Sequence, residues 1–107
     1  MEEFTFNTVD NTLLCILKGR FGADTTGSFS DRLTAKIIEC RKSMDDPALL
    51  KVCFDLNNTV FISSSFIRIC IMVSRTVSPG HFSIINAIPM IKKTFKIAGL
   101  DVVLKVS

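Results

Sequence analysis

Apolar and polar residues alternate from Phe4 to Thr8, the pattern of a half-exposed strand. Asp10-Asn11 is a tight-turn signal, and the continuous apolar run Leu13 to Leu17 follows it. These two segments predict an antiparallel hairpin. Gly19 to Asp24 reads as a loop, with Asp24, Thr25 and Thr26 all able to cap a helix. Phe29, Leu33, Ile37 and Cys40 then recur at helical spacing, with Asp31, Arg32, Lys36 and Glu39 on the polar side. That helix ends near Arg41 or Lys42, ahead of the loop Asp45-Asp46-Pro47.

Val52 to Leu56 is a short apolar strand, and Asn57-Asn58 predicts the turn that closes it. Ser63, Ser64 and Ser65 offer caps for a second helix from about Ser65 to Thr76. Pro79-Gly80 breaks the chain, and Phe82 to Ile88 reads as another strand. Pro89 suits the first turn of a third helix and Gly99 its stop. Ile91, Phe95 and Ala98 line the inner face of that helix, and Leu100 folds back on its last turn. Val102 to Leu104 is expected to supply a last strand. Helices alternating with apolar strands argue for parallel pairing through crossovers. The expectation is an α/β fold: a mixed five-stranded sheet, its first hairpin antiparallel and the rest mainly parallel, with three helices.

Composition narrows the function. The chain has 107 residues, 48% of them apolar, enough for a core without covalent staples. Thirteen basic and ten acidic residues leave a net charge of +3, too little for a nucleic-acid footprint. Lys92, Lys93 and Lys96 cluster on one helical segment and read as a solvated face. Cys15, Cys40, Cys53 and Cys70 are irregularly spaced within apolar runs, so four buried, reduced thiols are expected in a cytoplasmic protein. The acidic start Met1-Glu2-Glu3-Phe4 is unlike a signal peptide. The most apolar stretch, Phe66 to Val73, carries Arg68 and is too short to insert directly into a membrane.

Catalytic chemistry finds little support. His81 is the single histidine, it sits in a loop, and no partner stands at a motif spacing. No serine lies in G-x-S-x-G, and one His with scattered Cys gives no metal spacing. Gly19-x-x-Gly22 lacks the Lys-Ser or Lys-Thr of a phosphate cradle. The expectation is a protein without enzymatic activity or cofactor that acts by docking a protein partner.

The distinctive segment runs from Phe54-Asp55-Leu56 through Asn57-Asn58 to Ser63-Ser64-Ser65-Phe66-Ile67. It delivers three serines to the start of an apolar helix. A phosphate there would put about two negative charges at the positive end of the helix dipole. The plainer reading is an N-cap with two spare serines.

This segment resembles the signature of the STAS family, a strand with D-L-x-x-x-x-F-x followed by D-S-S-G and a helix. Gly19 to Thr26 resembles the family's G-x-L-D loop, and Ala98-Gly99-Leu100-Asp101 its closing helix and exit. The resemblance covers nearly the whole chain. It implies a single STAS-like domain over residues 1–107 with the helices mostly on one face of the sheet. It further implies an anti-sigma factor antagonist that binds an anti-sigma factor acting also as a serine-protein kinase. By position the phosphorylation candidate is Ser64, with Ser63 and Ser65 beside it. The implied partner-binding residues are Gly22, Asp24, Thr26, Asn57, Asn58, Phe66 and Ile67. Ser63 stands where the family has Asp, Phe66 where it has Gly, and Gly22 where it has the loop acid. Those departures support an alternative: a STAS subunit of a signalling scaffold or lipid-transport complex, never phosphorylated, with Phe66 as an aromatic anchor for its partner.

Overall fold

In the computed structural model, which describes residues 2–107, Asn11 adopts φ 60° and the Thr12 amide donates to Asp10 Oδ1 at 3.1 Å. This closes the expected turn between β1 (Glu2–Asn7) and β2 (Thr12–Phe21), which pair antiparallel with Phe4 opposite Cys15. Helix α1 (Ala23–Lys42) carries the chain back to β3 (Lys51–Ile62), and α2 (Ser64–Thr76) carries it to β4 (Phe82–Ile85). Both crossovers make parallel pairs, so the sheet order is β1-β2-β3-β4. Helix α3 (Pro89–Ile97) follows.

Alternation decides the faces of the sheet. Leu13, Cys15 and Leu17 of β2, Val52, Phe54 and Leu56 of β3, and Phe82 and Ile84 of β4 are buried. Their neighbours Leu14, Ile16, Cys53 and Ile85 point to the other side and are half-buried. Phe29 of α1 meets Phe54 edge-on at 6.0 Å, and Phe66 of α2 lies 5.9 Å from Phe54. Both helices therefore pack on one face, around a phenylalanine cluster. Such ring pairs contribute about 0.5–1.5 kcal/mol each beyond the area they bury.

The expected fifth strand does not form: the sheet has four. Gly99 takes φ 73° and the Leu100 amide returns to Phe95 O at 2.9 Å, closing α3. The chain then keeps turning. The amides of Leu104, Lys105 and Val106 donate to Leu100 O, Val102 O and Asp101 O, so none is free for a ladder. Of the apolar triplet only Leu104 is buried; Val102 is 80% and Val103 68% exposed. A single bridge, Ile84 to Val106, touches β4.

Three boundaries also move. Strand β4 stops at Ile85 because Asn86 adopts φ 58°. Helix α1 starts at Ala23 with Gly22 in the cap position, ahead of the caps expected at Asp24 to Thr26. Asn57-Asn58 is no turn; β3 runs through it. Ile16 pairs with Asp55 but Lys18 with Asn58, and Gly19 pairs with Thr59 but Arg20 with Phe61. Two extra residues bulge out of β3, and burial there falls at Leu56, Thr59 and Ile62, every third position. The buried Thr59 hydroxyl donates to Leu17 O at 2.8 Å and pins the bulged segment.

All four cysteines are free thiols. Cys15, Cys40 and Cys70 are buried, whereas Cys53 is only half-buried because its register points it away from the helices. His81 sets Nδ1 3.2 Å from Leu50 O, a packing contact beside β3. Among the described residues no cluster of His, Cys, Asp and Glu has metal-binding geometry. No described helix is long and apolar enough to cross a membrane.

Candidate functional site

Strands β2 and β3 end side by side, Phe21 opposite Ile62, and each turns at once into a helix. The Ser63 amide donates to Phe21 O at 2.9 Å, which ties the two exits together. The N-termini of α1 and α2 therefore share one edge of the molecule, at the carboxyl ends of parallel strands. In open α/β sheets functional sites gather outside the carboxyl ends of the strands.

At α2, Ser63 is the cap. Its backbone is extended, its Oγ accepts from the Phe66 amide at 3.3 Å, and its carbonyl accepts from the Ile67 amide. Ser64 is the first helical residue and is exposed; Ser65 is half-buried. No acidic residue lies in the first turn of α2, so the free amides and the dipole there face solvent uncompensated. A phosphate on Ser64 Oγ would meet that positive end. At α1 no side chain caps the helix; the Gly22 carbonyl accepts from the Thr25 and Thr26 amides, and Asp24 is the acid of the first turn. Gly22 has φ −88°, open to any residue, and a Cβ there would come 3.0 Å from the flexible Asp24 carboxylate.

The residues singled out from the sequence divide. Gly22, Asp24, Ser63 and Ser64 meet at the paired helix starts. Asn57 and Asn58 are exposed but lie well back along β3, in its first bulge, where the Asn57 amide is held by Asp55 Oδ1 at 3.0 Å. Ile67 is half-buried against the core. Thr26 and Phe66 are corrections. Thr26 is 4% exposed, on the buried stripe of α1, and Phe66 is fully buried, 5.2 Å from Phe21 and 6.2 Å from Phe29. Phe66 shares its stripe with Ile69, Cys70 and Val73, so helical phase turns it inward once Ser63 is the cap. It is a core residue and not an anchor for a partner.

Two surface residues escaped the sequence reading. Phe61 is 39% exposed, and the Arg20 guanidinium sits 4.5 Å above its ring. The Phe61 ring edge also approaches Gly22, 4.0 Å from where a Cβ would stand. Phe61 belongs to an apolar run that reads as buried, and only the bulges turn it outward. Val60, beside it, is exposed as well.

No family model matches the sequence, and no curated protein matches it. Solved structures do. One, the anti-sigma factor antagonist SpoIIAA in its unphosphorylated form, is similar with a TM-score of 0.75 at 14% identity, covering 100% of this chain and 88% of that one. Another, the Bacillus cell fate determinant SpoIIAA in the phosphorylated form, has a TM-score of 0.66 at 14% identity, covering 100% of this chain and 91% of the other. Three helices and a mixed sheet are consistent with that architecture: the chain has the STAS fold of SpoIIAA.

Proposed function

We propose that the chain is an anti-sigma factor antagonist-like regulatory module, docking a protein partner at the paired starts of α1 and α2 and switched by phosphorylation of Ser64. The observation that carries this reading is the division of labour between adjacent serines. Ser63 is engaged as the cap, while Ser64 is exposed, at the same helix start, in the fold of a protein solved with and without phosphate. The partner implied is an anti-sigma factor that is also a serine kinase. Gly22, Asp24, Ser64 and the exposed Arg20–Phe61 pair form the centre of the proposed contact; Asn57, Asn58 and Ile67 lie at its margin. Phosphate at Ser64 adds nearly two negative charges, which a docked acidic surface would repel and an uncovered helix start would tolerate.

The alternative of a docking subunit that is never phosphorylated drew on Phe66 as an anchor and on Ser63 and Gly22 in place of the family acids; the burial of the Phe66 ring removes the anchor and leaves the missing acids as its support. The test is intact-mass analysis after incubation with ATP and the anti-sigma kinase that co-purifies with the chain. One added phosphate, lost in Ser64→Ala and kept in Ser63→Ala, is the expected result. A chain that captures no such kinase, or that remains unmodified beside it, overturns the proposal.

A further inference from the structure

Helix α2 buries one stripe of side chains against the sheet and presents a second, Ile71, Ser74 and Arg75, toward the turns that follow α3. Between them lies a groove of about 550 Å³. Val77, Phe82 and Leu104 lie beneath it, all nearly inaccessible to water, and the apolar surface open to a ligand comes from Ile71, Leu100 and Val103. That volume falls in the range of small-molecule sites, about 300–1,000 Å³. An apolar lining of this kind disfavours a ligand that is polar throughout, whose groups would lose water without gaining partners.

The polar side chains of the lining, Ser74 and Arg75, both come from α2. Arg75 is the one charged residue lining the groove, and among the described residues its guanidinium has neither a hydrogen bond nor an ion pair. The Ser74 hydroxyl donates to Ile71 O at 2.7 Å, which leaves its lone pairs free to accept. At the rim the Lys105 ammonium donates to Gly80 O at 3.2 Å, a second cation near the mouth. No acidic residue lines the groove. We propose that this groove binds a single-chain amphiphile with an anionic head, its alkyl chain against Ile71, Leu100 and Val103 and its head on the Arg75 guanidinium. A carboxylate fits the guanidinium fork with two parallel hydrogen bonds. The groove lies along the C-terminal half of α2, away from Ser64, and the proposal is independent of the docking role.

The test is a nuclear magnetic resonance titration of the isotope-labelled full chain with sodium decanoate below its micelle concentration. Decyltrimethylammonium, with the opposite head charge, is the control. Saturable one-site shifts confined to residues 71–82 and 100–104 are expected, with the cationic amphiphile binding far more weakly. Arg75→Gln should weaken decanoate roughly tenfold, the factor of one lost charge-assisted hydrogen bond. Val103→Trp, a change at an exposed position that fills the groove, should abolish binding with the rest of the spectrum unchanged. The proposal is overturned if shifts do not saturate or scatter over the surface, or if the cationic probe binds as well. It is overturned equally if either variant keeps full affinity.

Discussion

The amide of Ser63 and the carbonyl of Phe21 are hydrogen-bonded at 2.9 Å, so the last residue before α2 is fastened to the last residue of β2. That bond fixes which serine does what. Ser63, held in extended backbone, turns its hydroxyl onto the Phe66 amide, and Ser64 is left facing solvent.

Removing the two hydroxyls should therefore have separate effects. Ser63→Ala loses the cap and is expected to cost about 1 kcal/mol, a fall in Tm of roughly 4–8 °C for a domain of this size. Ser64→Ala should stay within about 0.5 kcal/mol of the parent. Ser63→Asp keeps a capping oxygen and adds a charge at the positive end of the helix, so it should equal or exceed the parent at low salt. Urea denaturation of the three variants checks this, and equal losses at both positions would contradict the assignment of the cap.

Phe66→Ala should destabilise the fold by about 3–5 kcal/mol, because it empties the centre of the phenylalanine cluster. That is a large part of the roughly 5–15 kcal/mol that holds a domain together. Loss of partner binding in this variant would report unfolding, to be seen by circular dichroism before any binding assay. Phe61→Ala, on the surface, should leave stability nearly unchanged and weaken docking.

Glu2 gives the stability a dependence on acid. Its carboxylate accepts from the Arg32 side chain, one bond being 2.9 Å, and that hydrogen bond holds its pKa below the ordinary range. A depressed folded pKa means the contribution is complete above the unfolded value, about pH 4.3, and is lost as the pH falls through the folded one. Arg32 is well exposed, so salt should shrink the effect. Thermal melts between about pH 3 and 6 should show a slope in the parent that Glu2→Gln reduces. An identical slope in the variant would assign the acid dependence to other carboxylates.

The thiols should react in an order set by burial. Desolvation pushes the pKa values of Cys15 and Cys70 far up, and those of Cys40 and Cys53 up as well. Thiolate is the reactive form, so all four should alkylate slowly in the native protein. Cys53, half-exposed on the far face of the sheet, should be first. Iodoacetamide labelling followed by peptide mass analysis tests this; Cys70 labelled as fast as Cys53 would show that the core opens.

The sequence was most legible where pattern and position agree. The spacing of Phe29, Leu33, Ile37 and Cys40 identified the buried stripe of α1, and Asp10-Asn11 the hairpin. It misled at Val102 to Leu104, whose composition suits a strand but where the amides of Leu104, Lys105 and Val106 bond back within successive turns. Asn57-Asn58 has turn chemistry, yet pairing with β2 on one side outweighs it and converts the turn into a bulge. The serines drew attention by clustering, but which one caps depends on where β3 ends, and that follows from the Phe21–Ser63 bond. Phe66 stood at helical spacing from Ile69, Cys70 and Val73 and was readable as core from that stripe alone.

The two bulges of β3 act as a shim between its beginning and its end. Val52 and Phe54 meet the core in ordinary alternation, Thr59 meets it again after one extra residue has been taken up, and Ile62 after two. Counting along the chain from Val52 to Ser64 is thus no ruler for the distance between them in space. Deleting one residue between Asn57 and Val60 would not merely shorten a strand. With both bulges kept, it would put Ile62 in the outward place of Phe61 and Ser63 in the buried place of Ile62, and α2 would start one residue out of step with the sheet's edge. A homologue one residue shorter here could keep the serines in place only by flattening a bulge, so alignment of such chains must follow side-chain facing and not residue count.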